Sequence, residues 1–186
     1  MSWRWLPNAI CIVRMLLAVP LAVLLIDKSY VAALLVLVIA GVSDGLDGFL
    51  AKTFDWRTRL GGLLDPAADK LLLVTAFCSL TYAGLTPLEL TAVVIGRDVV
   101  IVAGAVTYQL LIAPVQGEPA AISKLNTACQ LGFVFFTITN AAFGLPPRIS
   151  LLVLGAAVVF TSLVSGLTYV LRWSARAWRI DRKSVV

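Results

Sequence analysis

Apolar runs separated by short polar breaks fill nearly all of the 186 residues. They lie near 7–26, 30–54, 61–83, 87–113, 122–143 and 148–171. Each is long enough for the roughly 20 apolar residues that carry a helix across a hydrocarbon core. The pattern predicts an all-α integral membrane protein with six transmembrane helices. They form a single transmembrane domain over 1–186, with an interfacial N-terminus at 1–6 and a basic interfacial tail at 172–186. No internal repeat or separate linker interrupts the pattern.

The second and third runs carry charge where they approach one another along the chain. Residues 44–69 read DGLDGFLAKTFDWRTRLGGLLDPAAD and hold Asp44, Asp47, Asp65 and Asp69, four of the ten acidic residues. Carboxylates among apolar helices are costly and mark function by default. At about 3.6 residues per turn, Asp44, Asp47, Gly48 and Ala51 share one helix face, with Lys52 at its edge. Gly61, Asp65 and Asp69 share another, at i, i+4 and i+8. Two helices joined by a short loop can therefore aim four carboxylates at one point. Residues 30–43 and 70–83 each cover roughly 21 Å of helix from the opposite membrane surface, so both pairs reach the same depth. For Asp65-Pro66 two geometries are open: Asp65 as N-cap with Pro66 in the first position, or a Pro-kinked helix.

Composition agrees with the spans. The chain is 60% hydrophobic and 13% charged, against about 25% charged in soluble proteins. With six spans, both termini and the 2–3 and 4–5 loops share a side. That side carries ten Lys and Arg, against Lys28 and Arg148 on the other, which places both termini in the cytoplasm. The first run is longer than an ordinary signal-peptide core and has no small-residue cleavage site. The expected location is a bacterial cytoplasmic membrane or a processed organelle form, and no nucleic-acid partner is expected. Cys11, Cys78 and Cys129 are far apart in apolar runs and read as small buried hydrophobes. The chain has no histidine, which excludes a histidine base or a phosphohistidine intermediate.

Further polar residues qualify as candidates. Trp3, Arg4 and Trp5 suit an interfacial anchor, and Pro7 suits a first helical turn. Arg14 either snorkels to lipid phosphate or binds substrate phosphate. In the fourth span Arg97 needs a partner, either a structural ion pair with Asp98 or a bound phosphate that its planar fork would match. Lys124 and Asn126 open the fifth span, level with the carboxylates, as a polar helix start or as ligands. Lys70 reads as a charge-balancing neighbour of Asp69. Arg57 and Arg59 read as plain positive-inside charges, and Arg172, Arg176, Arg179 and Lys183 as a basic stripe for anionic lipid.

The 44–69 stretch resembles the motif of the CDP-alcohol phosphatidyltransferases, D-x2-D-G-x2-A-R-x8-G-x3-D-x3-D. Asp44, Asp47, Gly48, Ala51, Gly61, Asp65 and Asp69 match it; Lys52 stands where the pattern has Arg. The resemblance implies Mg²⁺ or Mn²⁺, two ions held by Asp44, Asp47, Asp65 and Asp69, with Asp69 as the base. It places Asp47, Gly48, Ala51, Lys52 and Gly61 at the nucleotide and diphosphate. It also implies a homodimer and CDP-diacylglycerol as donor. Pro7, Asn8 and Arg14, the Arg97-Asp98 pair and residues 122–131 are similar to the CMP-forming cardiolipin synthase branch. That branch implies phosphatidylglycerol as acceptor, its phosphate near Arg14, Arg97, Lys124 and Asn126. Phosphatidylglycerophosphate synthases, which use glycerol 3-phosphate, are the alternative. An ion pathway would show polar residues across the whole membrane, whereas the outer halves of spans two and three are apolar.

Overall fold

A computed structural model describes residues 6–53, 61–111 and 121–184. Among these there are six α-helices and no strand: α1 (Leu6–Ile26), α2 (Tyr30–Thr53), α3 (Gly61–Tyr82), α4 (Leu88–Leu111), α5 (Ala121–Phe143) and α6 (Arg148–Ser184). Three contain a stretch long and apolar enough to cross a membrane: Ala9–Ile26, Leu88–Thr107 and Arg148–Leu171. The apolar stretch of α2 among the described residues, Tyr30–Leu46, is shorter and includes Asp44. Helix α3 opens with Asp65, Asp69 and Lys70, and α5 with Lys124, Asn126 and Gln130. These charged and polar residues stand in otherwise apolar helices.

The chain forms two compact units. Residues Met1–Pro87 and Val134–Leu151 make the first. Within it α1 packs on both α2 and α3. Its buried positions are Cys11, Arg14, Ala18, Leu21 and Leu25, an alternation of three and four residues that traces one stripe. The α2 stripe is Ala33, Leu37 and Ala40; α3 contributes Ala68, Leu72, Ala76, Phe77 and Leu80. Alanines in these stripes let the helix backbones approach closely. On the other side of α1, Ile12, Val13, Leu16, Val19 and Val23 are exposed, as a lipid-facing surface requires.

Residues Leu88–Phe133 and Leu152–Val186 make the second unit. Here Gly155 of α6 faces Leu90 of α4 and Phe133 of α5. A Cβ on Gly155 would meet Leu90 Cδ1 at 3.2 Å and Phe133 Cε2 at 3.3 Å. Polar contacts supplement this packing and are described below.

Two boundaries add to the sequence reading. Pro66 lies inside α3, so Asp65 sits on the helix rather than capping it. The sixth helix continues to Ser184, so the span and the helical basic tail are one continuous helix. Trp3, Arg4, Trp5, Asp55, Arg57 and Arg59 lie outside the described residues.

Helix ends are closed by left-handed residues. The Ser29 N–H donates to Leu24 O at 2.8 Å and the Lys28 N–H to Leu25 O at 3.2 Å, the paired bonds of a Schellman cap. The same pair recurs after α3, from Leu85 to Leu80 at 2.9 Å and from Gly84 to Thr81 at 3.0 Å. Gly84 has φ 75 and open space where a Cβ would stand. Lys28 has φ 58 and bears the steric cost that glycine avoids. Gly84→Ala should therefore destabilise the fold by about 1 kcal/mol and Lys28→Gly stabilise it by a similar amount. Equilibrium unfolding in mixed micelles measures both, and equal midpoints for Gly84→Ala and wild type would contradict the cap assignment.

Candidate functional site

The buried stripes of the first unit change character toward one end. On α2, positions 33, 37 and 40 are followed in register by Asp44. On α3, Asp65 and Asp69 precede Leu72 and Ala76 along the same side. On α1 the stripe ends in Arg14 and Cys11. Packing that is apolar along most of its length thus carries opposite charges into contact.

Arg14 is the pivot of this cluster. Its side chain is 1% exposed, and its Nη1 lies 2.6 Å from Asp44 Oδ1 and 2.5 Å from Asp69 Oδ1. One guanidinium nitrogen therefore ties α1 to both α2 and α3. A buried cation without a partner would be prohibitively costly, and two carboxylates offset that desolvation. The carboxylate side chains are 51% and 42% exposed, so the cation is sealed beneath a half-open anionic face. Beside it, the thiol of Cys11 donates to Asp65 Oδ1. Each of these three carboxylates is held from α1.

The donor set is all oxygen, the preference of Mg²⁺, Mn²⁺ and Ca²⁺. Among the described residues no three Asp, Glu, Cys or His side chains meet closely enough to hold a metal ion by themselves. Asp44 and Asp69 do converge on a common positive group, that of Arg14, so their arrangement fits a shared cation. Asp47 is the next stripe position of α2. Its side chain, with Gly48, Ala51, Lys52 and Gly61, lies outside the described side chains, though all five positions are in α2 or α3. The side chains of Pro7, Asn8, Arg172, Arg176, Arg179 and Lys183 do too.

The second unit holds its own buried cation. Arg97 is 7% exposed and lies on α4. Its Nη1 donates to Asp98 Oδ1 at 2.6 Å, and its Nη2 to Ser123 Oγ of α5 and Ser165 Oγ of α6, each at 2.6 Å. Three helices are joined through one planar fork, a geometry that lysine does not supply. One turn along α5, Asn126 is fully buried and accepts from Thr161 Oγ1 and Ser162 Oγ of α6, both at 2.8 Å. Gln130 follows on the same face at 1% exposure. Lys124 points outward and is exposed.

Arg14, Asp44, Asp65 and Asp69 thus meet in one unit, while Arg97, Lys124 and Asn126 belong to the other. Reasoning from sequence missed Cys11, Ser123 and Ser165 as partners of the charged groups. Cys11 had one available signal, its place one turn before Arg14 on the same helix face. The serines had none, because small hydroxyls are common in packed membrane helices.

The CDP-alcohol phosphatidyltransferase family profile matches residues 4–167. The chain is 36% identical over 180 residues to "Cardiolipin synthase (CMP-forming)" of Homo sapiens, covering 88% of this chain and 60% of that protein. It is 42% identical over 100 residues to the protein of the same name from Streptomyces coelicolor, covering 50% of this chain and 46% of that one. It is also 38% identical over 102 residues to "CDP-diacylglycerol--glycerol-3-phosphate 3-phosphatidyltransferase" of Pseudomonas fluorescens, covering 52% of each. The chain therefore spans less than two thirds of the length of each of these relatives.

Shared contacts predict coupled energetics. A double-mutant cycle between Arg14→Gln and Asp69→Asn, read by unfolding in micelles, should show a coupling of about 1–2 kcal/mol. Additive effects would show that the two side chains do not interact.

Proposed function

Because the chain belongs to the CDP-alcohol phosphatidyltransferase family, we propose that it transfers the phosphatidyl group of CDP-diacylglycerol to phosphatidylglycerol, forming cardiolipin and CMP. The observation that carries this reading is the Arg14 bridge, which gathers motif carboxylates from two helices at one cation. The relatives named cardiolipin synthase support the choice of acceptor.

Asp44, Asp47, Asp65 and Asp69 would hold two divalent ions, Mg²⁺ or Mn²⁺. Such ions, when bound, neutralise charge on the attacking and leaving oxygens of a phosphoryl transfer. Asp69 takes the proton from the terminal glycerol hydroxyl of phosphatidylglycerol, since no histidine is present to do so and a base must reach that hydroxyl. The freed oxygen bonds to the phosphorus that bears diacylglycerol, and the bond from that phosphorus to CMP breaks. Gly48, Ala51, Lys52 and Gly61 line the nucleotide and its diphosphate, Lys52 as a point charge in place of the motif's Arg.

Arg97, Lys124 and Asn126 serve the acceptor's phosphate, while Arg14 stays sealed against Asp44 and Asp69. On Arg97 Nη2 a phosphate would replace two neutral serine oxygens with an anionic acceptor. The protein works as a homodimer with six spans and both termini in the cytoplasm of a bacterium, its site opening on that side. The relative from Pseudomonas fluorescens favours a second reading, with glycerol 3-phosphate as acceptor.

Purified protein given CDP-diacylglycerol, Mn²⁺ and each acceptor separately should form cardiolipin from phosphatidylglycerol. Asp69→Asn should lower turnover at least about 100-fold, the scale of general-base catalysis. Phosphatidylglycerophosphate from glycerol 3-phosphate, without cardiolipin, would establish the second reading instead.

A further inference from the structure

We infer that Cys11 is a positioning residue: its thiol fixes the orientation of the Asp65 carboxylate and thereby tunes the affinity of the acidic cluster for a divalent cation. The inference rests on the metal-site reading above and concerns this chain's own residues.

The argument begins with the stripe of α1. Cys11 precedes Arg14 by three residues, so the two side chains share a face and differ in height by about one turn. Cys11 is fully buried, and its Sγ–H donates to Asp65 Oδ1. Asp65 is half-buried, on the α3 turn before Asp69. Arg14 holds Asp69 and Asp44 from the same helix. Helix α1 therefore presents a neutral donor to one carboxylate and a cation to the other two.

The two kinds of contact do different things. A guanidinium adds a positive charge next to its carboxylates, and so competes with a metal ion for them. A thiol adds none. It restricts rotation of the carboxylate while leaving its full negative charge for a cation. Groups that hydrogen-bond to ligating carboxylates orient them, and losing one costs about 10–100-fold in metal affinity. A thiol is a weak donor, which puts Cys11 at the lower end of that range.

A purely space-filling role makes the opposite ranking of variants. If Cys11 only fills volume, apolar Val or Ala should replace it better than Ser, whose hydroxyl would be a burden among apolar atoms. If it orients Asp65, Ser should be the better replacement, since it keeps the donor.

The test is Mn²⁺ binding to the purified full chain in mixed micelles, read from the electron paramagnetic resonance signal of free Mn²⁺. Wild type, Cys11→Ser, Cys11→Val, Cys11→Ala and a control, Cys78→Ala at an exposed site, are compared. Cys11→Val and Cys11→Ala should weaken binding about tenfold, and Cys11→Ser should stay within about threefold of wild type. Near-UV circular dichroism confirms that each variant is folded; having two apolar variants keeps the comparison open if one misfolds. Wild-type affinity in a folded Cys11→Val or Cys11→Ala variant overturns the inference, as does a folded Cys11→Ser no better than either. Absence of Mn²⁺ binding by the wild-type chain would instead overturn the metal-site reading and this inference with it.

Discussion

A positive charge that has no water must be met by negative charge, and Arg14 imposes that condition on three helices at once. Its side chain is sealed, while the carboxylates it holds are half-exposed. The cost of burying the guanidinium is offset as α2 and α3 deliver Asp44 and Asp69 to the same nitrogen. The spacing of the buried stripes on these helices delivers them. Ala18, Leu21 and Leu25 set how α1 lies, and Arg14 then has one place to go. Apolar packing and the acidic cluster are two ends of one contact surface.

The second buried cation is built on a different plan. Among the described residues Arg97 has one carboxylate neighbour, Asp98, and two neutral serines from other helices. Such a node joins α4, α5 and α6 around one ion pair, whereas Arg14 is shared between Asp44 and Asp69. The first unit collects acidic groups around one buried cation, and the second matches its buried cation with one carboxylate and two hydroxyls.

Much of this was legible in the sequence because periodicity and charge act locally. Apart from the C-terminal end of α6, the helices lie within a few residues of the apolar runs, and the 44–69 motif marked the acidic residues from their spacing alone. Two kinds of feature were not legible. One was a choice between local geometries of similar energy: Asp65-Pro66 fits a cap or a helix interior, and α3 beginning at Gly61 selects the interior. The other was partnership across helices. Cys11 reads as a small apolar residue until α1 is packed on α3, and only then does its thiol find Asp65. Ser123 and Ser165 are likewise unremarkable until α5 and α6 bring them to Arg97. The helical extension of α6 to Ser184 was legible in the spacing of Arg172, Arg176, Arg179 and Lys183, which repeats at helical intervals.

If Arg14 assembles a cation site from α1, α2 and α3, the site should accept a divalent ion at the same carboxylates. Anomalous diffraction at the manganese edge, from crystals grown with Mn²⁺ and CDP-diacylglycerol, locates that ion directly. The account predicts an anomalous peak within coordination distance of oxygen atoms of Asp44, Asp65 and Asp69. A well-occupied Mn²⁺ site elsewhere, with these carboxylates still bound only to Arg14 and Cys11, would contradict it.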